Sequence, residues 1–373
     1  MNEEKKYRYD VLYLIAYALL CFMTLSGGSQ LIKISEEIKL ILYSVIIILF
    51  SIKIILNGIT KKEIIILVLF GLMAVYTYME LGTIFFITNL FAIMALKKTN
   101  VTKIVKVDII IKLLFLIMHS IFYFTDIMFG DTIKGAILYR GTMERHSLYF
   151  THPNIVALMI FWLIVDIAYL KKKLTIRNII FFTILISIIY FLTNSRTILA
   201  VYIVFLCIFY LKEMKNKAFS TKMINFMYKY IFEIITILSI LMATLYGRGW
   251  TFLDATFNAL TSGRVYSSYV AVNSIGIHLF GSTDLLQFEN LIVDNFYIRS
   301  AVEYGLIYVL ILICMTKFNR EKEKNITDKV LVIIFAVSLF SEYNSIIIGN
   351  AIPLLLLGNI VINNHKKEKK IEE

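Results

Sequence analysis

Ile38–Leu56 has the sequence IKLILYSVIIILFSIKIIL, nineteen residues whose only charges, Lys39 and Lys53, lie near its ends. As a helix rising about 1.5 Å per residue it reaches about 28 Å, close to the ~30 Å hydrocarbon core of a bilayer. It lacks the apolar/polar alternation of a membrane β-barrel strand. Twelve apolar blocks of this kind run along the 373 residues, at 9–25, 38–56, 63–79, 81–96, 107–124, 154–170, 178–193, 198–211, 231–246, 299–316, 329–341 and 347–362. The whole chain is 59% apolar and 17% charged, with mean hydropathy +0.78. Soluble domains carry about 25% charged residues, so two or three soluble domains are excluded. Two prolines and 16 glycines also argue against a loop-rich sandwich. The expected fold is an all-α polytopic membrane protein, a single transmembrane domain over 1–373 with about twelve spans. Two external loops are expected, a medium one at 125–153 and a large one at 247–298.

The formal net charge of +12 is a matter of topology. With the N-terminus inside, segments 1–8, 57–63, 97–106, 171–177, 212–230, 317–329 and 363–373 hold 27 of the 38 Lys and Arg residues, and outside segments hold 9. Basic residues collect on cytoplasmic loops, so both termini are expected in the cytoplasm, in a multi-pass protein of the cytoplasmic membrane. Scattering over seven loops argues against a nucleic-acid partner. The first block, followed by Ser26-Gly27-Gly28, imitates a signal peptide, but its removal would break the charge alternation. The basic stretch 212–230 reads as an interfacial helix on anionic lipid. Cys21, Cys207 and Cys314 lie inside apolar blocks without zinc or disulfide spacing.

Lysine and arginine divide between the two sides. Of 29 lysines, 24 are inside; of nine arginines, six are outside: Arg140, Arg145, Arg196, Arg248, Arg264 and Arg299. Arginine's planar fork binds phosphate and carboxylate through two bonds, which points to an external anionic ligand. Each arginine could also anchor a helix end at headgroup level. Within the spans, Asp108, Lys112, Asp166 and Glu233 fall near cytoplasmic ends and suggest snorkelling or local pairing. No span shows the Gly/Pro-broken core of an ion-coupled transporter. Zinc-hydrolase, P-loop and hydrolase-elbow motifs are absent from the sequence.

Three external stretches carry polar chemistry. In Arg145-His146-Ser147-Leu148-Tyr149-Phe150-Thr151-His152-Pro153-Asn154, Pro153 suits a first helical turn and sets His152 and Asn154 at a helix mouth, a place that attracts anions. The same residues could be only a cap and turn. Asn194-Ser195-Arg196-Thr197 is a tight turn between the seventh and eighth blocks, and Arg196 there could hold a lipid phosphate. The large loop contains Thr261-Ser262-Gly263-Arg264, Leu279-Phe280-Gly281 and Asp294-Asn295-Phe296-Tyr297-Ile298-Arg299, and leads to Glu303-Tyr304-Gly305-Leu306-Ile307. Asp294 is a candidate base or the N-cap of the tenth helix.

The order of these features resembles the bacterial O-antigen and capsular polysaccharide polymerases (Wzy type), in one superfamily with the O-antigen ligases. The resemblance rests on the His-Pro-Asn segment, the Ser-Arg-Thr turn, Gly263-Arg264 in a large loop, and Asp294-Asn295-x-Tyr297 before an aromatic-Gly-Leu-Ile start, over about 140–310. It implies oligosaccharide units on undecaprenyl diphosphate as substrates, at the outer face of the membrane. Membrane lipids, and a chain-length regulator and a flippase, are the implied partners. Ligases have His-Asn where this chain has Asp294-Asn295, which leans toward a polymerase. A ligase-type glycan transferase and a lipid-linked oligosaccharide flippase are the alternatives.

Such a transfer uses the energy of the glycosyl diphosphate and needs no cofactor. Preorganised cations stabilise the departing diphosphate. Arg196 and Arg264 are the expected catalytic cations, with Arg145, Arg299, His152, Asn154 and Tyr297 binding substrate. Asp294 is the first choice of base and His152 the second. The sequence offers no dense carboxylate cluster for a metal.

Overall fold

The computed structural model describes residues 10–129, 136–140, 142–288, 291–317 and 326–363. The charged segments 1–8, 318–325 and 364–373, and 130–135 of the medium loop, lie outside the described residues. Regular structure is helical apart from one hairpin, Ile137–Arg140 (β1) against Met143–His146 (β2), with Leu138 opposite Arg145. Among the described residues six helices are long and apolar enough to cross a membrane: Asp10–Gly27 (α1), Glu36–Asn57 (α2), the Glu63–Leu81 part of Lys61–Leu81 (α3), Pro153–Lys171 (α6), Ile176–Thr193 (α7) and Lys217–Leu245 (α9). The others are Phe85–Ala95 (α4), Val101–Phe129 (α5), Arg196–Glu213 (α8), Arg264–Ser274 (α10), Phe296–Arg299 (α11), Ile307–Lys317 (α12), Ile326–Leu339 (α13) and Pro353–Asn363 (α14). At 11 residues, α4 and α12 are about 17 Å long and apolar but short for a crossing.

The chain divides into two compact units, drawn from 1–58, 98–206 and 348–352, and from 59–97, 207–347 and 353–373. In the first, α6 packs between α5 and α7, and α1 packs on α2 and α5. Apolar residues surround α6 on every side, as expected of a helix enclosed by others, and Trp162, Phe161 and Ile164 are fully buried. In the second, α9 is the hub, touching α10, α11, α12 and α13. Ala243, Ala271, Leu285, Val293, Ile298 and Val302 close a core that holds the large loop against it.

Two expectations are corrected, and a third is narrowed to one of its alternatives. The stretch 212–230 is not a separate interfacial element, because Lys217 onward belongs to α9, one 29-residue helix. Of the two roles expected for the intramembrane charges of the first unit, snorkelling or local pairing, the structure shows pairing, and it brings in Asp166 as well. Lys112 Nζ donates to Asp166 Oδ2 at 2.8 Å and pairs with Asp108, and the three side chains are at most 3% exposed. Tyr17 and Cys21 also donate to Asp108 Oδ1. Finally, the tenth block is broken. α11 passes into a π-helical turn, Ser300–Tyr304, that ends at Gly305 with φ +108°. A Cβ on Gly305 would lie 2.8 Å from the Leu279 carbonyl oxygen, so only glycine fits. Through the break, the backbone amides of His278 and Ser282 donate to the carbonyls of Ala301 and Glu303, and those of Leu306 and Ile307 to His278 and Leu279. The carbonyls that the widened turn frees are thus satisfied by the loop.

Candidate functional site

Local backbone preferences place each external motif. His152 caps α6, its Nδ1 accepting from the Asn154 amide at 3.1 Å, and Pro153 takes the first position, where its missing amide does no harm. His152 is exposed and its Nδ1 is engaged in the cap. Leu148 and Tyr149 both have positive φ, 49° and 61°. This turn lays Phe150 against Ser29 and lets the amides of Gln30 and Thr151 exchange bonds with Tyr149 and Gly28. The Gly28-Ser29-Gln30 segment that follows α1 is thus the partner of the first motif. His119, fully buried, donates from Nδ1 to the Phe115 carbonyl and shares a hydrogen bond at Nε2 with the Ser29 hydroxyl, both at 2.8 Å, and stacks on Phe150.

Arg145 joins the first two motifs. Its Nε donates to the Thr193 carbonyl at 2.8 Å, and an Nη donates to Asn154 Oδ1 at 2.8 Å. At 8% exposure it is a strut across the start of α6 and the end of α7. Asn194, left-handed at φ 49°, ends α7, and α8 begins two residues later at Arg196. Among the described residues the exposed Arg196 side chain has no hydrogen bond or ion pair, and the buried Ser195 hydroxyl beside it is also unpartnered. Arg145 therefore holds the turn that presents Arg196.

In the second unit the third motif closes on itself. Gly263, left-handed at φ 83°, starts α10, and Arg264 follows. Its Nε donates to Asp294 Oδ2 at 3.0 Å, and an Nη donates to Glu342 Oε1 at 3.0 Å. Asp294 is the more open carboxylate, with its side chain 26% exposed against 7% for Glu342. Asn295, not Asp294, caps α11, accepting from the amides of Tyr297 and Ile298, while its Nδ2 donates to Ser239. Arg299 pairs with Glu303 and lies over Tyr343, 3.9 Å from the ring centroid, and over Tyr304 at 5.4 Å. Tyr297 is fully buried, with its hydroxyl on the Ala336 carbonyl at 2.7 Å, so it anchors the core and is closed to substrate.

The structure thus groups Arg264, Asp294 and Arg299 in the second unit, and Arg145, His152, Asn154 and Arg196 in the first. Glu342 and Tyr343 belong to the former group and were not expected. They come from Ser341-Glu342-Tyr343-Asn344-Ser345, which separates the last two apolar blocks. The Tyr343 amide donates to the Asp294 carbonyl at 2.8 Å, tying this short turn to the large loop. The available signal was a carboxylate and an aromatic in a short polar turn on the side assigned to the arginines.

An apolar cavity of about 600 Å³ lies in the second unit among α3, α4, α12 and α14, lined by residues such as Phe70, Leu90, Ile311 and Met315. Tyr308 and Ile307 also line a smaller cavity of about 220 Å³ that reaches Phe280, Gly281 and Tyr304. Among the described residues, no group of three or more His, Cys, Asp and Glu converges as a metal site. Comparison with known families, characterised proteins and solved structures finds no match to this chain.

Proposed function

We propose that this protein polymerises oligosaccharide repeat units carried on undecaprenyl diphosphate, at the outer face of the cytoplasmic membrane. The observation that carries the reading is the meeting of Asp294 and Glu342 on Arg264, within the motifs that resemble the polymerases. In the transfer, an acceptor hydroxyl oxygen bonds to the anomeric carbon of the donor. The bond from that carbon to the diphosphate oxygen breaks, its electron pair leaves with the diphosphate, and the hydroxyl proton passes to a base. Two functions are needed together, a carboxylate for the proton and cations for the leaving group.

Arg264 can serve both in turn. Before substrate binds, it holds the Asp294 side chain in place. A diphosphate competes for the guanidinium, and Asp294, the more open partner, is the one released toward the acceptor. Glu342 keeps Arg264 aimed. In the first unit, Arg196 is exposed and is proposed as a cation for a phosphate group. An isoprenoid tail suits the 600 Å³ apolar cavity in the second unit. A flippase is the second reading, favoured by the buried Asp108–Lys112–Asp166 group, since intramembrane charges often mark transport paths.

Deletion in the native host, followed by sizing of the surface glycan, tests the proposal. Loss of long chains with single repeat units still at the surface supports a polymerase. Loss of all surface repeat units supports the flippase, and unchanged long chains refute both.

A further inference from the structure

In the second unit, the chain that leaves α9 turns an uncharged surface outward where the helix runs out of apolar length. Between Lys229 and Arg248 the only charged residue is Glu233, which pairs with Lys317 at 2.8 Å. As helix that stretch is about 28 Å long, close to the ~30 Å hydrocarbon core of a bilayer. Ile234, Ile237, Leu238 and Leu241 are exposed along it, a stripe that faces lipid. Arg248 therefore emerges at headgroup depth. The chain then forms a further helix over 251–260, π-helical from Phe252 to Phe257 and α-helical from Asn258 to Leu260. Every exposed side chain on it, from Thr251 and Phe252 to Ala259 and Leu260, is uncharged. Trp250, Phe252 and Leu260 are 61%, 65% and 60% exposed. The one charged residue in 249–260 is Asp254, half-buried, and its Oδ1 accepts from the Gly247 amide at 2.9 Å.

A helix face open to water carries charged and polar side chains, and this one does not. It continues directly from a helix of membrane-crossing length, and it opens with a tryptophan, a residue that favours the membrane–water boundary. Helices that lie in that boundary bury an apolar face among the upper acyl chains. We propose that Trp250 and the helix 251–260 are seated in the membrane interface, with Trp250, Phe252 and Leu260 among the acyl chains and Arg248 toward the lipid phosphates. The seat is joined to the site. Asn258 Oδ1 accepts from the Tyr266 amide at 3.0 Å, and the Asn258 carbonyl accepts at 2.8 Å from the amide of Gly263, the residue before Arg264. On the polymerase reading this holds Arg264 at the depth of a lipid-linked diphosphate, but the seating itself does not rest on that reading.

Fluorescence quenching tests this on the purified full chain in phosphatidylcholine nanodiscs, which leave both membrane faces open to solvent. The chain has two tryptophans and Trp162 is fully buried, so the emission lost in Trp250→Phe belongs to Trp250. Phosphatidylcholine brominated near the glycerol end of its acyl chains is expected to remove most of the Trp250 emission, and more than lipid brominated at mid-chain. Aqueous iodide should remove little. Phe252→Asp, at an exposed position, should leave the unfolding temperature unchanged and lower the ratio of bromolipid to iodide quenching several-fold, because a carboxylate is strongly disfavoured among acyl chains. Strong iodide quenching of Trp250 with no effect of either brominated lipid would overturn the proposal, and so would an unaltered ratio in a folded Phe252→Asp. If Phe252→Asp fails to fold, the comparison of wild type with Trp250→Phe decides the matter. No step of the measurement needs polymer formation, so a failure of the polymerase reading leaves its outcome unaffected.

Discussion

Arg264 is held by two carboxylates, and the three side chains respond differently to removal. Asp294→Asn keeps the size and one acceptor oxygen but abolishes the base. Because Asn295 provides the helix cap, this variant should fold normally and lose at least about tenfold of its polymer-forming rate. Arg264→Ala removes the guanidinium that pairs with the buried Glu342. It should lose about 3–5 kcal/mol of stability, seen in thermal unfolding, as well as activity. Arg145 and Arg196 separate in the opposite sense. Arg145→Ala strips the Thr193 carbonyl and Asn154 of a buried donor and should lower stability by about 1–3 kcal/mol. Arg196→Ala should leave the unfolding temperature unchanged and reduce activity by about 10²–10³, and Arg196→Lys should restore it only in part. The individual arginines and Asp294 were legible in the sequence because charged residues between apolar blocks stand out. Their partners were not. Glu342 lies 78 positions from Arg264, and no spacing rule links them. Tyr297 looked accessible beside Asp294, yet helical geometry turns it into the core.

At the scale of elements, the position of nearly every helix followed from unbroken apolar sequence, since a bilayer leaves the backbone little alternative to a helix. The start of α6 at His152-Pro153 followed from helix-start chemistry, and the end of α7 at Asn194 from the polar turn between two apolar blocks. The break at Gly305 did not, because a glycine inside an apolar block does not reveal its backbone angle. Gly305→Ala should therefore be severe. It imposes a strained positive φ and drives a methyl into the Leu279–Phe280 backbone, at a cost of about 1–3 kcal/mol for the φ alone. Reduced unfolding temperature, with faster hydrogen exchange at the amides of His278 and Ser282, is the expected outcome. Likewise the sequence placed Asp108 and Lys112 one turn apart, but Asp166 reaches them only through packing of α6 on α5. Lys112→Ala should lose about 3–5 kcal/mol by leaving two buried carboxylates uncompensated. The apolar or neutral combination Asp108→Asn, Lys112→Met and Asp166→Asn should recover most of it. A triple variant as unstable as Lys112→Ala would show that packing, rather than charge, governs this site.

For the whole molecule, the membrane class was legible from composition, whereas the grouping of helices into two units was not, because helix partners depend on side-chain fit rather than on hydropathy. The central claim, that this protein lengthens lipid-linked glycans, is tested most directly with the purified chain in proteoliposomes. The substrate would be the undecaprenyl-diphosphate-linked repeat unit of its host, and the products would be sized on a gel. The account predicts a ladder of lipid-linked oligomers without added nucleotide or a second enzyme, strongly weakened by Asp294→Asn. Repeat units that remain single with the correctly folded wild-type protein, across conditions that keep the donor intact, would contradict it.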